Sequence, residues 1–233
     1  MAENIVELLT DVADAIREKK GSTEKINAQA FAEEIKNLPS GGNAALRGTL
    51  IDDTGLGIAN SLHIIVAEGV TSIGTKAYYL TSLESIEMPN TITSIGLSAF
   101  FQTKLIELNL PDSIYAIPNE LAQNCSQLQR IKLPSQMQQI GAYAFKNCTS
   151  LAKIDIPSTT FKIDNQAFYG CSSLRTIVVR TEAFPTLSNS AFTGIAADAL
   201  IYVPDESVDA YKSATNWSAY ADAIRPISEL PNE

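Results

Sequence analysis

The 233-residue chain has no apolar run approaching the ~20 residues that a membrane-spanning helix requires, so no membrane insertion of that kind is expected. Basic charge is scarce. Seventeen Lys and Arg against 26 Asp and Glu leave a net charge of −9, the wrong sign for neutralising phosphates, so nucleic acid is not an expected partner. Histidine is nearly absent: His63 stands alone inside the apolar run LHIIV at 62–66. A general base needs a nucleophile beside it in a pocket, and nothing in the sequence supplies one, so His63 reads as a structural or surface histidine. The three cysteines form no C-x-x-C pair and have no paired histidines near them, so neither a metal site nor any other cofactor is expected. GLGIAN at 55–60 lacks the third glycine of a dinucleotide fingerprint and precedes a strand, so Asp53, Thr54 and Gly55 read as turn residues. MAENIVELLTDVADAIREKK carries acids from its start, with no apolar core behind a basic region, and does not read as an export signal. With Met1 as the native start, classical export would not be expected.

What the chain does have is a period. The stretches beginning at 82, 104, 126, 149 and 172 align on one pattern of about 23 residues. Leu83, Leu105, Leu128, Leu151 and Leu174 fall in one column, with Pro89, Pro111, Pro134 and Pro157 tracking them. A second column runs Ile95, Ile117, Ile140, Ile163 and Leu187; aromatics follow at Phe100, Phe145, Phe168 and Phe192, with Ala122 taking that place in one repeat. Such self-similarity marks a solenoid, whose units bury their apolar faces only against their neighbours.

Each unit divides in two. A first segment such as LQRIKLP alternates like a short strand, Ile131 and Leu133 inward and Arg130 and Lys132 outward, and proline closes it because it cannot donate to the ladder. A second segment such as QQIGAYAFKNC buries Ile140, Ala144 and Phe145 on the opposite wall. Gly96 and Gly141 are expected to make a tight bend there through positive φ. Residues 61–81 read as a degenerate first repeat, with Ile73, Gly74, Ala77 and Tyr78 in phase but without the leucine–proline frame. Cys125, Cys148 and Cys171 recur at one place in the repeat and read as small buried residues, with adventitious oxidation as the alternative. Asn124, Asn147 and Asn216 begin N-x-S/T sequons, two of them only because NC ends one repeat and Ser or Thr begins the next.

Ahead of the repeats, Ile5, Leu8, Leu9, Val12 and Ile16 form one amphipathic helical stripe, and Phe31, Ile35 and Leu38 a second that Pro39 ends. The organisation expected is a two-helix module at 1–39, a linker and entry turn at 40–60, the solenoid at 61–199 and a closing segment at 200–233. The helices would either dock as a cap or serve as an oligomerisation or attachment module, so a homo-oligomer through them is one expectation.

The candidate functional surface is the row of outward residues on the first segment. One column runs Ser85, Glu107, Arg130, Lys153 and Thr176, and its neighbour Glu87, Asn109, Lys132, Asp155 and Val178. Extended solenoid faces commonly serve recognition. Glu107, Asn109, Arg130, Lys132, Lys153 and Asp155 are therefore the expected binding residues for a protein or glycan partner. A merely solvated face is the alternative.

The frame L-xx-I-x-LP-xxxxx-IG-xx-AF-xxC, over roughly 61–227, resembles the BspA-like leucine-rich repeats of bacteria. The resemblance implies a leucine-rich repeat solenoid of about six units; with the helical hairpin read ahead of it from the amphipathic stripes, the expected fold class is α+β. Its ending, LIYVPDESVDAYKSATNWSAYADAIRPI at 200–227, implies a last strand at 201–204, a helix around 207–213 and a tryptophan-containing helical cap. It also implies a non-enzymatic adhesion or binding protein at the cell surface. Residues 13–42 resemble a helical module of phage and prophage structural proteins, which implies a rival reading as a tail-associated component, virion-bound or cytoplasmic.

Overall fold

The computed structural model describes residues 63–231. The helices expected within 1–39, the turn at 53–55 and the phage-like segment lie outside the described residues.

Short strands form two walls of a solenoid. The first wall holds β1 (His63–Ile65), β3 (Ser85–Glu87), β5 (Glu107–Asn109), β7 (Arg130–Lys132), β9 (Lys153–Ile156), β11 (Thr176–Val179), β13 (Leu200–Val203) and β14 (Ile224–Pro226). The second holds β2 (Ser72–Ile73), β4 (Ser94–Ile95), β6 (Ala116–Ile117), β8 (Gln139–Ile140), β10 (Lys162–Ile163) and β12 (Thr186–Leu187). Every pairing is parallel and places a residue opposite its repeat equivalent, as in Ile64↔Ile86, Leu108↔Ile131 and Ile163↔Leu187. The solenoid makes about seven turns rather than six. Residues 201–204 are not the last strand either: β14 pairs onto β13 beyond the cap.

The columns read from the repeat are the core. Leu105, Leu128, Leu151 and Leu174 are fully buried, as are Ile140, Ile163, Phe100, Phe145 and Phe168. Rings stack along the axis, Phe145 on Phe168 at 5.4 Å and Phe168 on Phe192 at 5.4 Å. Ala122 interrupts that stack, and Leu121 stands where Ala99 and Ala144 stand in adjacent turns; both Leu121 and Ala122 are fully buried. Volume lost in one column returns in the next, as close packing demands.

The bend is made differently from expectation. Neither Gly96 nor Gly141 has positive φ; they are small because the previous turn is close. A Cβ on Gly96 would lie 2.3 Å from the Thr75 nitrogen, and one on Gly141 2.7 Å from the Ile117 oxygen. Apart from Gly69 and Asn216, the left-handed residues form two other columns. One is Lys76, Ser98, Glu120, Tyr143 and Gln166; the other is Leu80, Gln102, Asn124, Asn147, Gly170 and Gly194. At both positions the backbone N–H donates to the following turn, as from Ser98 to Asn119 at 3.2 Å and from Asn124 to Lys146 at 2.8 Å. A left-handed L-residue costs about 1–2 kcal/mol, least for Asn, and the inter-turn hydrogen bonds offset it.

The cap is small. After β13 a 3-10 turn (Asp205–Ser207) leads into α1 (Val208–Ser213), followed by a 3-10 segment (Ser218–Ala223). Buried Trp217 donates its indole N–H to the Pro185 carbonyl at 2.8 Å, and buried Tyr211 its hydroxyl to Thr181 at 2.8 Å. The cap thus docks on the loop of residues 180–185 between β11 and β12.

Candidate binding faces of the solenoid

Parallel register brings the six expected binding residues onto one face. Glu107 stands opposite Arg130 and Asn109 opposite Lys132 across β5 and β7; Lys153 and Asp155 follow on β9, opposite Thr176 and Val178. Asn109, Arg130 and Lys132 are exposed, and Glu107, Lys153 and Asp155 half-buried. The face is internally paired. Arg130 donates from Nε to Glu107 at 3.0 Å, and Asn109 donates to the same carboxylate at 2.8 Å. Those bonds, Arg130 first, hold the Glu107 carboxyl below its ordinary range. Asp155 accepts two bonds from Arg180, at 2.7 and 2.6 Å. Arg180 occupies the proline position of its turn, a partner that column reading did not find. The outward column also ends early, because Val178 is fully buried.

His63 sits on this face in β1. Its Nδ1 lies 2.5 Å from the Ser85 hydroxyl and its Nε2 3.5 Å from Glu87. No motif marks this trio, which assembles only because β1 pairs with β3. Among the described residues the His63 and Glu87 side chains are exposed, 49% and 67%.

Cys125, Cys148 and Cys171 are free and fully buried. Each thiol donates to the carbonyl of an earlier turn, at 3.0 Å to Phe100, 3.2 Å to Ala122 and 3.1 Å to Phe145. Burial pushes all three thiols up, Cys171 to about 12. Thr103 continues the column, its hydroxyl 3.2 Å from the Cys125 sulfur. Among the described residues no cluster of His, Cys, Asp and Glu could hold a metal ion. Nor is any helix there long and apolar enough to cross a membrane. A cleft of about 370 Å³ between the last turn and the cap is lined by Phe192, Ile195, Ile201, Tyr220 and several alanines. Its one ionisable group, the Tyr220 hydroxyl, is pushed up by burial.

The repeat frame is decisive when compared with known families: the BspA-type leucine-rich repeat region matches residues 57–175 in six copies. The chain belongs to the BspA-type leucine-rich repeat family. Among solved structures, a leucine-rich repeat protein from Bacteroides ovatus is 30% identical with a TM-score of 0.52, over 64% of this chain and 39% of that one. A leucine-rich repeat protein from T. pallidum is 24% identical with a TM-score of 0.43, over 61% of this chain and 58% of that one. A leucine-rich cell surface protein from Faecalibacterium prausnitzii is 19% identical with a TM-score of 0.37, over 60% of this chain and 59% of that one. The BspA-type chain thus spans less than two thirds of each. No curated protein matches it. BspA-type repeats are generally non-enzymatic binding scaffolds, and no catalytic family is indicated.

Proposed function

We propose that this chain is a non-enzymatic, adhesion-type binding protein of the cell surface that recognises a protein partner through the outward columns of its first wall. One observation supports the reading: Glu107, Arg130 and Lys153 in one column, and Asn109, Lys132 and Asp155 in the next, stand in successive turns, the first two turns paired across β5 and β7 and the third on β9 of the adjoining sheet. Neighbouring strands lie about 4.8 Å apart, so the row presents charges of both signs at regular intervals to an extended surface. Ordered charges of this kind set the register and the association rate of a partner more than its affinity. The exposed Lys132 favours a partner segment carrying acidic side chains.

The test is site-specific photo-crosslinking in the producing cell. A photoreactive residue at Asn109 or Lys132 is expected to trap a discrete protein, while one at Gln102 on the bending arc traps none. Equal adducts from all three positions, or none from the first two, would overturn the assignment. Fractionation after prophage induction separates the rival: co-sedimentation with phage particles would make residues 13–42 an attachment module, and signal in the envelope supports adhesion.

A further inference from the structure

A second surface differs in chemistry from the charged face. The residues that precede the second-wall strands form their own column: Thr71, Thr93, Tyr115, Gln138, Phe161 and Pro185. Backbone bonds keep it in register, Gln138 donating to Tyr115 at 2.8 Å and Phe161 to Gln138 at 2.8 Å. Tyr115 is 58% exposed and Phe161 55%, the most exposed aromatic side chains among the described residues. Among the described residues neither ring stacks on another, unlike Tyr79 and Phe101 on the bending arc, whose centroids are 4.7 Å apart. In the next turn Pro185 takes the ridge position, and Phe184, 47% exposed, meets Tyr211 of the cap edge-on at 6.0 Å.

The surroundings are nearly uncharged in a chain of net charge −9. Beside the ridge lie Ala116, Gln139 and Lys162 on one side and Ser113, Gln136 and Thr159 on the other. Lys162 is the single ion among them, and Asp164 pairs with it at 2.7 Å. The Tyr115 hydroxyl and the side-chain amides of Gln138 and Gln139 have no hydrogen-bond partner among the described residues.

We propose that the Tyr115–Gln138–Phe161 ridge is a platform for a neutral polysaccharide laid along the solenoid axis. Tyr115 and Phe161 are two turns apart, about 9–10 Å at strand spacing, comparable to two sugar residues of an extended chain. Flat exposed rings suit the C–H faces of pyranoses, and the unpaired amides between them suit the equatorial hydroxyls. A protein hot spot would instead need a desolvated pocket around the rings, and a ridge provides none. An acidic glycan is disfavoured by the net charge of the chain. The platform is independent of the charged face, so failure of either assignment leaves the other standing.

Affinity electrophoresis tests it, using the full chain in native gels cast with xylan, mannan, hydroxyethylcellulose or, as the acidic probe, polygalacturonate. Retardation is expected in at least one neutral gel and not in polygalacturonate. Tyr115→Ala with Phe161→Ala should weaken it at least tenfold, Phe161→Trp should retain it, and Arg130→Ala should leave it unchanged. Thermal melts of the variants should match the parent, because both rings are exposed. Migration unaffected by every neutral polysaccharide, retardation only by the acidic one, or retardation insensitive to the double substitution would each overturn the proposal.

Discussion

Asn147 donates its side-chain amide to the side-chain oxygen of Asn124, one turn earlier, at 2.9 Å, and both residues hold left-handed backbone, φ 59° and 64°. The two facts have one cause. The column needs positive φ so that its N–H groups reach the next turn, and asparagine reaches that region most readily among residues with a side chain. Stacking then brings successive amides within bonding distance. Gly170 continues the column at φ 73°, where a Cβ would lie 2.5 Å from the Asn147 side-chain oxygen.

Asn147→Ala is therefore expected to destabilise by about 1–2 kcal/mol, through both the backbone preference and the lost bond. Asn147→Gly should cost less, because it restores the backbone freedom and loses only the amide. Urea unfolding of the two variants checks the order. Alanine as stable as glycine would remove the left-handed explanation.

Leu121 and Ala122 exchange bulk between neighbouring columns, which predicts coupling. Leu121→Ala should cost about 2–5 kcal/mol as a core truncation. Ala122→Phe alone should cost about 1–3 kcal/mol by overpacking. The double variant, which writes the usual Ala-Phe pair into this turn, should be more stable than the sum of the two losses. A double-mutant cycle with zero interaction would show that the columns pack independently.

The buried thiols should be inert in the folded protein. With burial raising all three, Cys125, Cys148 and Cys171 are expected to resist a disulfide-exchange reagent at pH 8 and to react together in denaturant. Their raised values also set a sign. The unfolded chain ionises first as pH climbs past the ordinary thiol range, so stability falls from about pH 9 upward. Rapid labelling of any one thiol in native buffer would contradict the packing described.

At the acid end the direction reverses. Arg130 and Asn109 hold Glu107 low, and Lys162 with the Asn165 backbone holds Asp164 low. Their stabilisation is complete above the ordinary carboxylate range and is lost as pH falls through the depressed values. Urea midpoints should change little through the neutral range and drop below about pH 4. Both pairs are largely exposed, so Glu107→Gln should cost no more than about 1 kcal/mol, less in high salt. A midpoint that rises as pH falls below 4 would reverse the sign claimed for these carboxylates.

The repeat alone determined which residues face inward. Leu83 to Leu174, Ile95 to Leu187 and the phenylalanines are columns in sequence because every turn repeats one conformation, so a period in the chain is a line in space. By the same logic the six charged and polar residues of the first wall were readable as one face. Only the tertiary structure decided how those lines are occupied. The Glu107–Arg130 and Asp155–Arg180 pairs depend on which neighbour each side chain reaches across 23 to 25 residues of chain. The left-handed columns carry little composition signal, since Lys, Leu, Ser and Tyr share them with Asn and Gly. Strand β14 has no repeat frame of its own and is a strand because β13 offers it an open edge. The Tyr115–Phe161 ridge lies at a position that is threonine, glutamine or proline in other turns, so no column of like residues marked it. Backbone periodicity is a local property that the sequence can encode turn by turn; contacts between turns, and what is left exposed after they form, exist only once the turns are stacked.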